Sequence, residues 1–148
     1  MQKIAYSLIF VSLIMAFSCC KSSKSTKSLN KLQLVATQWN LTHIENEDIK
    51  NEFALRPFII FDSAGTLRGN LGCNSFFGEY QLFRKNKIKI DYKGATKRLC
   101  DKMEVEKIFI NAMKKDITNY KIEKNELILF SDKTEIMRFT GVDFREVE

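Results

Sequence analysis

The sequence predicts a small, mainly β domain of α+β class: an antiparallel, closed or half-closed barrel with one amphipathic helix before its last three strands. Three observations predict it. Short apolar runs with period two recur between Gly, Asn and Asp residues. A single stretch switches to helical spacing. From Leu32 onward about 117 residues remain, with one Pro and no interior linker, which suits one domain with its own core.

The elements follow in order. Leu34–Ile44, with Trp39, Leu41 and Ile44, reads as a first strand. Phe58–Phe61 follows Pro57, and Asp62–Ser63–Ala64–Gly65 turns the chain into Thr66–Gly69, a hairpin in which Gly supplies a positive backbone angle. Glu79–Phe83 and Lys87–Tyr92 alternate around Arg84–Asn86 as a second hairpin. Between Lys102 and Asn119 the apolar residues Val105, Ile108, Phe109, Ala112, Met113 and Ile117 recur with the period of a helix of about four turns. Asp101 stands as its N-cap, with Glu104 three residues on as in a capping box. Such a face packs on a sheet. Tyr120–Glu123, Glu126–Phe130 and Ile136–Phe139 complete the set, with turns at Lys124–Asn125 and Ser131–Lys133. Closing the sheet would remove its exposed edges.

The first residues carry a separate message. Met1–Gln2–Lys3 precedes an apolar run from Ile4 to Phe17, too short for the roughly 20 residues that cross a bilayer. Ala16–Phe17–Ser18–Cys19 resembles the end of a bacterial lipoprotein signal, which implies a signal peptide over residues 1–18 and acylation of Cys19; Cys20 is the alternative acceptor. Several acyl chains would give stable membrane anchoring. Residues 19–31 then form a basic tether, and Lys21–Ser28 holds no apolar residue. Its lysines suit either anionic headgroups or a solubilising spacer, and their sign favours the periplasm-facing side of the cell envelope over the cell surface.

Charge is read with that leader removed. The chain carries +6, but Lys3, Lys21, Lys24, Lys27 and Lys31 lie before the domain; removing those five from 24 basic residues leaves 19 against 18 acidic ones. A nearly neutral domain lacks the concentrated basic face of a nucleic-acid binder. The densest basic cluster, Arg84–Lys85–Asn86–Lys87, sits at the expected hairpin tip.

The central segment Gly65–Thr66–Leu67–Arg68–Gly69–Asn70–Leu71–Gly72–Cys73–Asn74–Ser75–Phe76–Phe77–Gly78–Glu79–Tyr80 resembles the signature of the META (HslJ-like) domain family, with its Gly-rich strand followed by Gly-Cys-Asn, an aromatic, Gly and Tyr. Trp39, Leu41, Ile44, Pro57, Phe61, Thr96, Cys100, Glu106, Leu127 and Leu129 extend the resemblance in the same order. Asn46 and Arg98 depart from it, standing where the family usually has Gly and Met. The resemblance covers Trp39 to about Phe139, within a domain set at 32–148, and implies a lipocalin-like fold. It implies no reaction and only a loose link to envelope stress.

The signature has a physical reading of its own. Gly65, Gly69, Gly72 and Gly78 permit positive angles or close chain approach, Asn74 can satisfy loop backbone groups, and Phe76 and Tyr80 supply core area. A sharply turned corner explains all of them. A shallow binding surface lined by Asn74, Tyr80 and Thr96 is the functional alternative. Cys73 and Cys100 read first as a disulfide in an oxidising compartment, worth about 3.5 kcal/mol in the loop-entropy treatment. Two buried thiols, or a redox or metal pair, are the other readings.

Candidate chemistry is sparse. His43 is the single histidine, close to Glu45, Glu47 and Asp48, and fits a surface position better than a general base. The serines cluster in the tether, where nothing rigid would activate them. No phosphate loop, dinucleotide fingerprint or metal spacing occurs, so neither cofactor nor metal is expected. Two functional classes remain: a monomeric, lipid-anchored, non-enzymatic module that binds an envelope protein or peptide, and a carrier of a small apolar ligand inside the barrel. Of twelve Phe, Phe10 and Phe17 alone fall in the leader, which favours a filled core and hence the first class.

Overall fold

A computed structural model describes residues 33–35, 37–45, 47–49, 55–100 and 103–143, the last without its side chain. The expected signal peptide, its acylation site Cys19 and the expected tether lie outside the described residues, as does Asp101. The strands are β1 (Thr37–Ile44), β2 (Glu47–Asp48), β3 (Phe58–Phe61), β4 (Thr66–Asn70), β5 (Ser75–Phe83), β6 (Lys87–Ala95), β7 (Asn119–Glu123), β8 (Glu126–Ser131) and β9 (Thr134–Asp143), with one helix, α1 (Glu104–Met113), between β6 and β7.

Each strand pairs antiparallel with its neighbour, and β1 pairs with both β3 and β9, so eight strands form a barrel-like ring with the two-residue β2 added on β1. The predicted class, and the place of the helix before the last three strands, match this architecture. Hairpin geometry follows the turn chemistry. Gly65 takes φ +83° where Asp62–Gly65 reverses the chain, and Asp62 Oδ1 accepts the Ala64 N–H at 2.8 Å. Lys85 and Asn86 adopt positive φ at the β5–β6 tip.

Alternation of direction gives the ring two distinct ends. The first described residues, the Asp62–Gly65 turn, the Arg84–Asn86 tip and the Lys124–Asn125 turn fall at one end. The β4–β5 loop, the end of β6, α1 and the β8–β9 turn fall at the other. Closure is loosest between β6 and β7, which share the single register pair Lys87–Asn119 flanked by two backbone bonds of 3.0 Å.

Side chains fill the ring. Trp39, Leu41, Phe61, Leu127, Leu129 and Phe139 are fully buried, and the Trp39 indole donates to the Leu34 carbonyl at 3.0 Å. From α1, Phe109 reaches Phe76 (5.7 Å between centroids) and Phe139 (6.2 Å), so the helix packs against the open end of the ring and adds to the same core.

Several expectations are corrected. The first strand starts at Thr37, preceded by an isolated bridge between Val35 and Phe61. β5 begins at Ser75, four residues before the expected Glu79, and β6 runs on to Ala95 past a bulge at Phe77/Gly78. The helix spans 10 residues and ends at Met113; its N-cap is Met103, with no side-chain cap bond, and Glu104 is the first helical residue rather than a capping-box partner. Ile117, which has helical spacing, is buried in the connection to β7 instead, because burial alone satisfies it.

Candidate functional site

The helix end of the ring is organised around Asn74. Asn70 Oδ1 accepts the Gly72 N–H at 2.7 Å, turning the β4–β5 loop so that the side chain of Asn74 points inward and is fully buried. Its Nδ2 donates to Glu106 Oε1 (2.9 Å), Glu106 Oε2 (3.1 Å) and the Arg98 carbonyl (3.0 Å). Its Oδ1 accepts the Thr96 hydroxyl (2.8 Å) and the Arg98 N–H (2.7 Å). The Asn74 backbone N–H adds a third bond to Glu106, at 3.1 Å. One buried amide thereby ties together the loop, the segment leaving β6 and the first turn of α1. Every bond here replaces one to water, which is what makes burial of these groups tolerable.

Two further links fix the same corner. Cys73 and Cys100 form a disulfide with Cα atoms 6.4 Å apart, and Arg98 Nη2 donates to the Cys73 carbonyl at 2.9 Å. Thr96 Oγ1 accepts the Ser75 N–H at 3.2 Å.

Between the end of β6 and the first half of α1 lies a half-open cleft of about 380 Å³. Tyr92, Ala95, Leu99, Met103 and Ile110 give it apolar walls, and the Asn74–Glu106 pair forms its polar floor. Tyr92 is pushed above the usual phenol range by burial and, less, by the nearby Glu106 carboxylate. Leu99 stands on the rim with 95% of its surface exposed. The oxygens of Glu106 are taken up by Asn74, so the floor presents bonded groups rather than a reactive one.

Beside the cleft, β6 runs near α1 with no strand partner on that side beyond Lys87 among the described residues. Ile88 N–H and the Asn86 carbonyl bond to Thr118 and Tyr120 at the start of β7. Strand alternation then directs the N–H and carbonyl groups of Ile90 and Tyr92 to that same side.

Of the three residues expected to share a binding surface, the structure brings Asn74 and Thr96 together and sets Tyr80 apart. Tyr80 packs edge-on against Phe61 (5.0 Å) and donates its hydroxyl to the Asp62 carbonyl at 2.6 Å, toward the opposite end of the ring. His43 also lies away from the cleft, with Nε2 2.6 Å from Asp48 Oδ1 and a side chain 41% exposed. A second hollow, of about 420 Å³, separates α1 from the β1–β2 turn and is bridged by the Lys115–Glu45 ion pair. No cluster of three or more potential metal ligands occurs among the described residues.

Sequence reasoning missed the role of Glu106 and the edge of β6. A signal for the first was present: Glu106, Phe109 and Met113 fall at i, i+3 and i+7, which puts an acid on the buried face of the helix. The edge had none, since it depends on where β7 departs.

No curated protein matches the chain. Among solved structures, an NMR structure of a protein from Burkholderia xenovorans aligns with TM-score 0.55 at 20% identity, covering 74% of this chain and 83% of its own. A crystal structure of a DUF4847 family protein from Bacteroides vulgatus aligns with TM-score 0.51 at 15% identity, covering 72% and 93%. A third, also solved by NMR, gives 0.53 at 18% identity, covering 71% and 89%. Identities this low establish shared fold. The META domain model matches residues 31–143, three quarters of the sequence and the whole of the ring just described, and the chain therefore belongs to the META domain family.

Proposed function

We propose that this protein is a lipid-anchored, non-catalytic module of the bacterial envelope whose META domain binds an extended segment of a protein partner. The observation that carries the reading is the edge of β6, which has no strand partner beyond Lys87 among the described residues, beside an apolar cleft. An extended peptide can continue such a sheet through main-chain bonds while its alternate side chains enter the adjoining pocket. The filled interior of the ring supports a binder rather than a carrier of an enclosed ligand. With Cys19 as the anchor, the cleft would lie at the end of the ring opposite Gln33–Val35, where the described chain enters β1.

The test is site-specific photocrosslinking in cells, with the probe at Leu99 on the cleft rim and a control probe at Phe77 on the outer face of β5. One dominant protein captured from Leu99 alone, and lost when Ile110→Glu fills the cleft with charge, supports the reading. Equal capture of the same abundant neighbours from both positions overturns it. The anchor is tested separately: labelled palmitate should be incorporated, and Cys19→Ala should abolish incorporation while Cys20→Ala retains it.

A further inference from the structure

At the end of the ring opposite the cleft, the β5–β6 hairpin presents an unusual combination. Leu82 and Phe83 are 45% and 55% exposed at its very tip, on opposite faces of the two-stranded ribbon. Arg84, Lys85, Lys87 and Lys89 surround them, all exposed, and no acidic residue occurs between Glu79 and Asp91. Without these four the domain has 15 basic and 18 acidic residues, so the tip is a local positive patch on an otherwise slightly acidic fold. Beside it, the Tyr120 N–H bonds to the Asn86 carbonyl, which braces the tip against β7.

We propose that this tip docks on an anionic lipid surface. A headgroup layer suits a hairpin of this composition: the two apolar side chains enter between headgroups while the cations stay at phosphate level. The chain that precedes the domain reaches the ring at this same end, since Gln33–Val35 lead into β1 beside the Asp62–Gly65 turn. A membrane that holds the preceding residues therefore lies on the side toward which the tip projects. Docking would fix the orientation of the domain and hold the far end, with its cleft, away from the lipid. The inference does not depend on what occupies that cleft.

The experiment places an indole at the tip of the full chain with Phe83→Trp, at an exposed position clear of the core. The protein is mixed with phosphatidylethanolamine vesicles carrying brominated acyl chains, with and without phosphatidylglycerol, and the signal of buried Trp39 is subtracted using the unsubstituted chain. Expected are a blue shift and bromine quenching of the new indole on vesicles with phosphatidylglycerol, weakened by salt. Arg84→Gln with Lys85→Gln should weaken tip docking roughly 30-fold. Phe77→Trp, higher on the outer face of β5, should stay unquenched. Absence of quenching at the tip, equal quenching on vesicles without phosphatidylglycerol, or equal quenching of the Phe77→Trp chain would each overturn the proposal. Because the readout is the depth of one side chain, it separates tip docking from anchoring elsewhere in the chain.

Discussion

Asn74 and Glu106 lie 32 positions apart in sequence and meet through three hydrogen bonds of 2.9–3.1 Å, both residues being buried. All the donors belong to Asn74 and all the acceptors to Glu106, so the pair is directional. Asn74→Asp would set two carboxylates against each other in a buried site. We expect a loss of about 3–5 kcal/mol at neutral pH, partly recovered on acidification as one carboxyl takes a proton. Urea denaturation of this variant at neutral and mildly acidic pH checks both the size and the sign. Glu106→Gln, which keeps shape and one acceptor, should cost less, about 1–3 kcal/mol.

The disulfide between Cys73 and Cys100 spans the corner that Asn74 already holds together. Because those bonds remain, reduction should lower stability without unfolding the corner. The expected loss is about 3.5 kcal/mol for the closed loop, arising mainly from greater freedom of the unfolded chain. Urea midpoints with and without reductant, alongside Cys73→Ser with Cys100→Ser, measure it. Persistence of the Asn74 side-chain amide resonances in the reduced protein would show that the corner survives.

Tyr80 provides a pH test. Its phenol is held above the ordinary value of 10 by burial first, then by the Asp62 carboxylate and Tyr120, and its hydroxyl donates to the Asp62 carbonyl. The folded state thus keeps a proton that the unfolded state releases. Stability from this group is complete below about pH 10 and falls as pH rises from there toward the raised folded value. Tyr92 shifts the same way and adds to the decline. Tyr80→Phe should therefore reduce, not abolish, the alkaline slope, and cost about 1 kcal/mol at neutral pH through the lost hydrogen bond. Thermal melts across the alkaline range measure both.

The fold was legible where local chemistry decides it. Hairpins announce themselves through period-two runs around Asp62–Gly65 and Arg84–Asn86, and those turns occur where expected. Misplaced boundaries have physical causes. Apolar Ile117 continues a helical pattern in sequence, yet the helix has ended and the side chain is buried from a loop. Asn74 and Tyr80 are close in the signature, but six residue steps of extended chain carry Tyr80 about 20 Å along β5, toward the other end of the ring. The cleft was least legible, because its walls come from β6 and α1 and its floor from the β4–β5 loop. Proximity of such segments follows from closure of the ring, which no local pattern encodes.

Two glycines with opposite expected behaviour test the packing of the ring. At Gly69 a β-carbon would collide with the Phe58 carbonyl and lie 2.6 Å from the Phe76 ring, so β3 and β4 approach too closely for any side chain. One obstacle is backbone and the other a buried aromatic, and neither can withdraw. Gly69→Ala should cost about 1–3 kcal/mol, and more if the strands separate. At Gly94 a β-carbon would meet only the Phe77 ring, at 3.6 Å, an ordinary contact. There the smaller conformational entropy of the unfolded chain decides the sign, and Gly94→Ala should stabilise by about 0.4–1 kcal/mol. Denaturant midpoints of the two variants should move in opposite directions. If Gly69→Ala were neutral, the close β3–β4 approach would be refuted, and destabilisation by Gly94→Ala would refute the open outer face beneath Phe77.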